Sequence, residues 1–438
     1  MEAHPIDSHP VRLVVEDDLE RSRLTVFFRL ILAIPHFIWY VVWSIGTFFV
    51  AIAAWIVTLI TGRLPDGLHG FFCSYIRYTT YLFSYLYLTS DPYPPFIGNP
   101  VDPYPVAITL PDPAPQRRSI VFFRIILVIP ALIVSGAFGG ALGGSFAFTQ
   151  GGNRRTSGSS GGSAGVMATM AAFLGWFACL VKGEMPRGLR DTGAYGLGYR
   201  AQVYAYLLLV TETYPNSDPH QLLGRIEPPP LHAVRLEGDA LDLRRSRVTV
   251  FFRLPLLIPH LVWLSLWGLV ASIVVLLQWF VTLFAGRPAR IFHRFLVRYT
   301  RYRFHVYAFG SLAANPFPGF TGAPGVYPLD LVLPDPDRQN RWKTLFRLFL
   351  AIPTMLLSFG FWLALFAVSV LIWFTALFTA KAPEGLRNVA AWALRYSAQA
   401  EAYLYLITDA YPHSSPLEGA EPAPAQEPLP GLEPVPAA

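Results

Sequence analysis

The chain has 438 residues, 53% hydrophobic and 15% aromatic, with 14% charged and a mean hydropathy of +0.41. About 25% charged is usual for a soluble domain, so this composition points to a membrane and leaves a large soluble helical core as the lesser reading. The net charge of +6 does not mark nucleic-acid binding, because the arginines sit beside apolar runs rather than in a polar basic tract. Anionic lipid head groups are the expected counter-charge.

Residues 1–10 form a leading segment. The first 24 residues hold Glu2, Asp7, Glu16, Asp17, Asp18 and Glu20 and lack the basic, apolar and small-residue blocks of a secretory signal. The amino terminus is therefore expected in the cytoplasm. Cys73 and Cys179 are the only cysteines, too few for a disulfide framework or a structural zinc site.

Next comes "TVFFRLILAIPH", in which Arg29 interrupts an apolar run and Pro35 follows six residues later. The pattern recurs around Arg124, Arg253 and Arg347, with Pro130, Pro259 and Pro353. Each copy continues through an apolar stretch to a tryptophan, at Trp55, Trp176, Trp279 and Trp373, and then to a second helical segment. The copies end on Asp91, Glu212, Asn315 or Asp409, followed by an aromatic residue and proline. Four repeats result, at 11–96, 104–216, 232–319 and 327–413. Arg29 and Arg253 are 224 residues apart and Arg124 and Arg347 are 223 apart, so an ancestral pair was duplicated. Beyond His413 the Pro- and Glu-rich tail, 414–438, has the composition of disorder.

The motif proline precedes the tryptophan by 20 residues in copies one, three and four, but by 46 in copy two. The additional stretch, about 139–165, is Gly/Ser-rich and contains Arg154 and Arg155. Such a loop must reach water. Aligned on the proline, it falls near Ser44–Gly46, Ser265–Gly268 and Ser358–Gly360 of the other copies. This predicts a helical hairpin in each copy, hence an all-α membrane protein of four tandem hairpins with about eight membrane helices. A single long span with the later helix as its return is the alternative. With hairpins, the basic mouths share one side, which the positive-inside bias places in the cytoplasm together with both termini.

In the later helix of copy one, His69, Cys73, Arg77, Thr80 and Ser84 fall on one face. Arg294, Arg298, Arg301 and His305 do so in copy three, and Arg387, Asn388, Arg395 and Gln399 in copy four. An interfacial amphipathic helix on the cytoplasmic leaflet is one reading, and a polar stripe packed inside the bundle is the other. Arg29, Arg124, Arg253, Arg347, Arg77, Arg298, Arg301 and Arg395 are the candidates for contact with head groups or acidic partners. The closing acids Asp91, Glu212 and Asp409 are candidate partners of the motif arginines, with Asn315 serving copy three uncharged. His36 and His260 are the only candidates for a metal or proton-relay site, and neither has a counterpart in the even copies.

The ordered run Arg-x-x-x-x-Phe-Arg, Ile-Pro, Trp…Gly-Arg-x-Pro and Tyr-Leu-Tyr-Leu-x-Thr-Asp-x-Tyr-Pro, clearest in "RSRLTVFFRLILAIPH" and "AYLYLITDAYP", resembles the bacterial membrane family catalogued as domain of unknown function 4389. The resemblance implies membrane residence without an established activity. Copy two departs from it by Lys182-Gly183-Glu184 and copy four by Ala380-Lys381. The sequence is thus expected to encode a non-enzymatic membrane protein without cofactor or resident metal. It would organise anionic lipid or hold a protein partner at the cytoplasmic leaflet. The alternatives are a transporter or channel built on the duplication and a lipid-acting enzyme using the two histidines.

Overall fold

The computed structural model describes residues 9–101, 104–138, 166–223, 228–238 and 242–419. These residues are mostly helical and repeat one plan four times. A long apolar helix, broken near its start, is followed by a 21-residue helix that returns along it and by an extended segment. In copy one these are α1 (Arg23–Leu32), α2 (Ile34–Thr61) and α3 (Asp66–Leu86). Copy two has α4 (Arg118–Leu127), α5 (Ile129–Phe138), α6 (Val166–Lys182) and α7 (Arg187–Leu207), then the short α8 (Pro219–Leu223). Copy three has α9 (Arg247–Phe251), α10 (Arg253–Ala285) and α11 (Arg290–Gly310). Copy four has α12 (Arg341–Leu345), α13 (Arg347–Thr379) and α14 (Glu384–Leu404). Two antiparallel ribbons complete the fold. β1 (Arg12–Val15) pairs with β2 (Val106–Thr109), and β3 (Arg235–Glu237) pairs with β4 (Asp330–Val332).

The all-helical repeat plan agrees with the sequence, but the hairpin does not. α2, α10 and α13 run unbroken through Ser44–Gly46, Ser265–Gly268 and Ser358–Gly360. At Gly268 and Gly360 the small residue serves close packing instead of a turn, whereas Gly46 faces open space. A Cβ on Gly268 would lie 2.9 Å from the Tyr299 hydroxyl, and one on Gly360 2.7 Å from the Met167 sulfur. Ser265 Oγ donates to the Leu261 carbonyl within its own helix. In place of about eight membrane helices, the described residues hold three that are long and apolar enough to cross a membrane: α2, α10 and α13. Counting α4 and α5, bent by 45° at their junction, as one span makes four. The expected loop 139–165 lies outside the described residues.

Each long helix ends in a left-handed cap, at Gly62, Gly183, Gly286 and Ala380 (φ 77°, 79°, 69° and 58°). Glycine takes this conformation without a Cβ penalty, and copy four uses alanine. The copies pack as two pairs. Trp55 Nε1 of copy one donates to the Val121 carbonyl of copy two, and Trp176 of copy two donates to Val26 of copy one. Trp279 and Trp373 repeat the exchange with Thr344 and Val250 in the second pair. Backbone bonds reinforce each exchange, Arg21 N to Gly183 O and Gln116 N to Gly62 O in the first half, Arg245 N to Ala380 O and Gln339 N to Gly286 O in the second. Each half therefore has local two-fold pseudo-symmetry.

The returning helices α3, α7, α14 and α11 form the interior. α7 buries 18 of its 21 residues. Phe138, Tyr195 and Trp392 join the halves, with ring centroids 5.1–5.3 Å apart. The long helices and the ribbons occupy different faces of this layer. On α11, Tyr302 meets α10 through His260, whereas Arg301 and His305 meet Leu331 and Asp330 of β4. The tail is ordered further than its composition suggests: Ser415 Oγ donates to Asp191 of α7 at 2.7 Å, and Trp392 Nε1 donates to the Ser414 carbonyl. A buried acceptor and indole fix this stretch, and residues 420–438 lie outside the described residues.

Candidate functional site: arginine cages and a basic-edged apolar face

A helix leaves its last carbonyls without intrahelical partners. Each returning helix ends with a leucine in the left-handed region, Leu88, Leu209, Leu312 and Leu406, which turns these carbonyls toward the start of its own copy. The motif arginine receives them. Arg29 Nη1 donates to the Tyr85 and Ser90 carbonyls at 2.6 and 3.1 Å, and its Nη2 to Asp91 Oδ1 at 2.6 Å. Arg347 donates to the carbonyls of Tyr403 and Thr408, and also to Asp409. Arg124 takes the Tyr206 and Thr211 carbonyls, but Glu212 turns away to Arg117, and Gln116 Oε1 accepts from Arg124 at 2.7 Å. Arg253 uses the Ala314 and Asn315 main-chain carbonyls. An aromatic ring lies under each guanidinium, those of Tyr85, Tyr206, Phe309 and Tyr403, at 4.2–4.6 Å.

All four arginines are 1–2% exposed, so no surface remains for a lipid head group at these positions. What they do is cap a helix C-terminus with a cation, which the helix dipole favours. A residue eight positions earlier completes each cage. Arg21, Gln116, Arg245 and Gln339 donate to the carbonyls of Leu88, Leu209, Leu312 and Leu406. Sequence reasoning missed these four clamps and the aromatic floor. The signal was the constant 56-residue separation of Arg29 from Tyr85 and of Arg347 from Tyr403.

The other basic candidates divide. Arg301 and Arg395 are buried against extended chain, Arg301 on Leu331 O and Asp330, Arg395 on Ser415 O and Leu417 O. Arg77 is half-buried and donates to the Gly98 carbonyl. Arg298 is exposed. The returning helices are thus interior elements whose polar stripe is largely covered by strands and turns, with Arg294 and Arg298 of α11 left exposed. Sequence periodicity cannot separate such a helix from one lying on a membrane surface, since both bury one face and pair the other.

His36 and His260 each stay within their own copy, buried, with Nδ1 3.3 Å from the Tyr78 hydroxyl and 2.7 Å from that of Tyr302. Phe96 and Phe320 stack on them at 4.0 and 4.4 Å. No group of three or more His, Cys, Asp or Glu side chains suited to a metal occurs among the described residues.

The exposed surface has its own pattern. Large apolar side chains line the long helices, among them Phe49, Ile52, Val262, Leu269, Phe366 and Phe374. In the most apolar windows of α2 and α10 only 17% of the residues are buried, and 33% in α13. Exposed basic residues sit where the long helices begin and end: Arg63 and Arg118, Arg23 and Lys182, Arg287, Arg341 and Lys343, Arg247 and Lys381. At Arg23 and Lys182 the acids Glu20 and Glu184 accompany them.

A fourfold repeat of long apolar helices on an aromatic, arginine-capped interior defines the class, a tandem-repeat helical protein with an apolar outer face suited to membrane association. The chain belongs to the family described as Domain of unknown function (DUF4389), whose model matches residues 23–98, 161–217, 247–321 and 341–415. Comparison with curated proteins and with solved structures gave no match.

Proposed function

We propose that the chain is a non-enzymatic membrane protein that organises lipid, or holds a partner, at the cytoplasmic leaflet. The observation that carries this reading is the exposed apolar surface along α2, α10 and α13, with arginine and lysine at their ends. Soluble monomers rarely expose contiguous apolar patches beyond a few hundred Å², and basic residues beside such a face suit anionic head groups. A structural role is supported by the fate of the buried polar groups. The motif arginines cap helices, and the histidines hold tyrosines in their own copies. The transporter alternative draws no comparable support, because Asp91, Glu212 and Asp409 follow helix ends, and the interior acids Asp191 and Glu401 are held by Arg190 and Arg303.

The test is fractionation of the expressed chain, followed by flotation with vesicles of neutral or partly anionic lipid. Retention in the membrane after alkaline carbonate, with better recovery on anionic vesicles, is expected. A chain that remains in the soluble fraction without detergent would overturn the reading.

A further inference from the structure

We propose that the long helices lie in the plane of one leaflet, with the ribbon face in water, instead of crossing the bilayer. This rests on the membrane reading above and adds its orientation. The returning helices run antiparallel to the long ones. Arg347 at the start of α13 meets Tyr403 at the end of α14, and Phe361 stacks on Tyr396 near the middle of both. Extended chain lies beside those middles. Gln399 Nε2 of α14 donates to the Val234 carbonyl next to β3, and Arg395 donates to the Ser415 carbonyl. In the first half, Gln202 of α7 donates to the Val11 carbonyl next to β1, and Leu13 of β1 packs at Gly198.

If α13 stood perpendicular to the bilayer, β3 and its exposed Arg235 and Glu237 would lie near mid-depth. A two-stranded ribbon has open edges, and each unpaired backbone group in hydrocarbon costs several kcal/mol. The same orientation would put Phe138 and Val166, joined by the polar residues 139–165, half-way through the hydrocarbon. In the plane, both costs vanish.

Charge agrees. The 28 residues of α2 measure about 42 Å at 1.5 Å each, with exposed Arg23 at the start of α1 and exposed Arg63 just past the end of α2. A crossing rod would carry basic residues to both sides of the membrane, against the positive-inside bias. A rod lying flat keeps both ends at one head-group level. The partner of this face is therefore a single leaflet containing anionic lipid.

Two measurements test the orientation in membranes holding the full chain. In a Cys73→Ser, Cys179→Ala background, single cysteines replace Asp66, Lys182 and Thr109, which are exposed at the two ends of the first pair and on β2. Labelling by an impermeant thiol reagent is compared between intact cells and inside-out vesicles, with detergent-solubilised protein as the full-labelling reference. All three labelling only in inside-out vesicles is expected. Labelling of Asp66→Cys and Lys182→Cys from opposite sides, or protection of either from both, would overturn the in-plane orientation. All three labelling only from outside would keep the orientation but sink the cytoplasmic placement, and absence of the chain from membranes would sink the membrane reading itself.

Spin labels at the exposed Ile38, Ile45, Ile52 and Ile60 give the second readout. Their depths should agree within about 5 Å, whereas a crossing helix spreads the first and last by about 33 Å along its axis.

Discussion

The two halves of the molecule solve one problem differently. Each places an arginine in the seam between its returning helices, at the fourteenth residue of a 21-residue helix: Arg200, buried, in α7 and Arg303, half-buried, in α11. Opposite Arg303 stands Glu401 of α14, with the nitrogen 3.1 Å from the carboxylate. At the matching place in the first half stands Phe83 of α3, whose ring centre lies 3.6 Å from the Arg200 guanidinium carbon, while Arg200 Nη2 donates to the Tyr204 hydroxyl at 3.1 Å. Both arginines have a tyrosine hydroxyl and a ring beside them, Tyr405 and Tyr307 for Arg303, but only the second half adds a carboxylate. The cation is common to both, so it is the charge's partner, not the charge, that the fold allows to vary.

The largest expected effect comes from removing the acid. Glu401→Ala leaves the half-buried Arg303 with only the Tyr405 hydroxyl and the Tyr307 ring, with a loss of about 1.5–3 kcal/mol, read as a lowered Tm in nanodiscs. Glu401→Phe, which rebuilds the first half's arrangement, should lose distinctly less; equal losses would show that the two seams are not interchangeable. A smaller and symmetric effect is expected at the indole bonds. Trp55→Phe and Trp279→Phe should each cost about 1 kcal/mol, and a marked difference between them would mean that the halves depend unequally on pairing. Ala380→Gly should raise stability by up to about 1 kcal/mol, since the other three caps already have glycine.

The effect that is smallest at neutral pH is confined to acid. His413 stands where the first half has Asn216, each backbone N–H donating to a glutamine, Gln399 or Gln202. Burial, with Arg395, His232 and Arg187 nearby, holds the His413 pKa down to about 4 from 6.5. Unfolded chain binds the proton near 6.5 and folded chain only near 4, so stability is full above about 6.5 and falls as pH drops toward 4. His413→Asn should flatten the Tm–pH curve in that window and leave Tm at pH 8 little changed.

Much of this plan is legible in the sequence because repeats are a one-dimensional signal. The four copies, their pairing and the set of motif arginines with closing residues all follow from spacing. The course of the long helices does not. Ser44–Gly46 and its counterparts signal a turn and close helix contact equally well, and only the facing Tyr299 or Met167 decides between them. In the same way Glu212 matches Asp91 and Asp409 in position, yet the structure sends it to Arg117: both Glu212 and Asp409 accept from the backbone N–H seven residues before their motif arginine, but that residue is Arg117 in copy two and the uncharged Asn340 in copy four. The clamps were hidden because arginine and glutamine alternate at that position, and only their shared carbonyl target unites them.

The crossed tryptophans carry a further consequence. No copy finishes its own entrance, because the indole that closes Val26 belongs to copy two and the one that closes Val121 belongs to copy one. A lone copy would be an unfinished object that must meet a twin by diffusion. Joining the two through one short stretch of chain sets their effective concentration in the millimolar range, so the encounter becomes a property of the polypeptide and no longer depends on how much of it the cell makes.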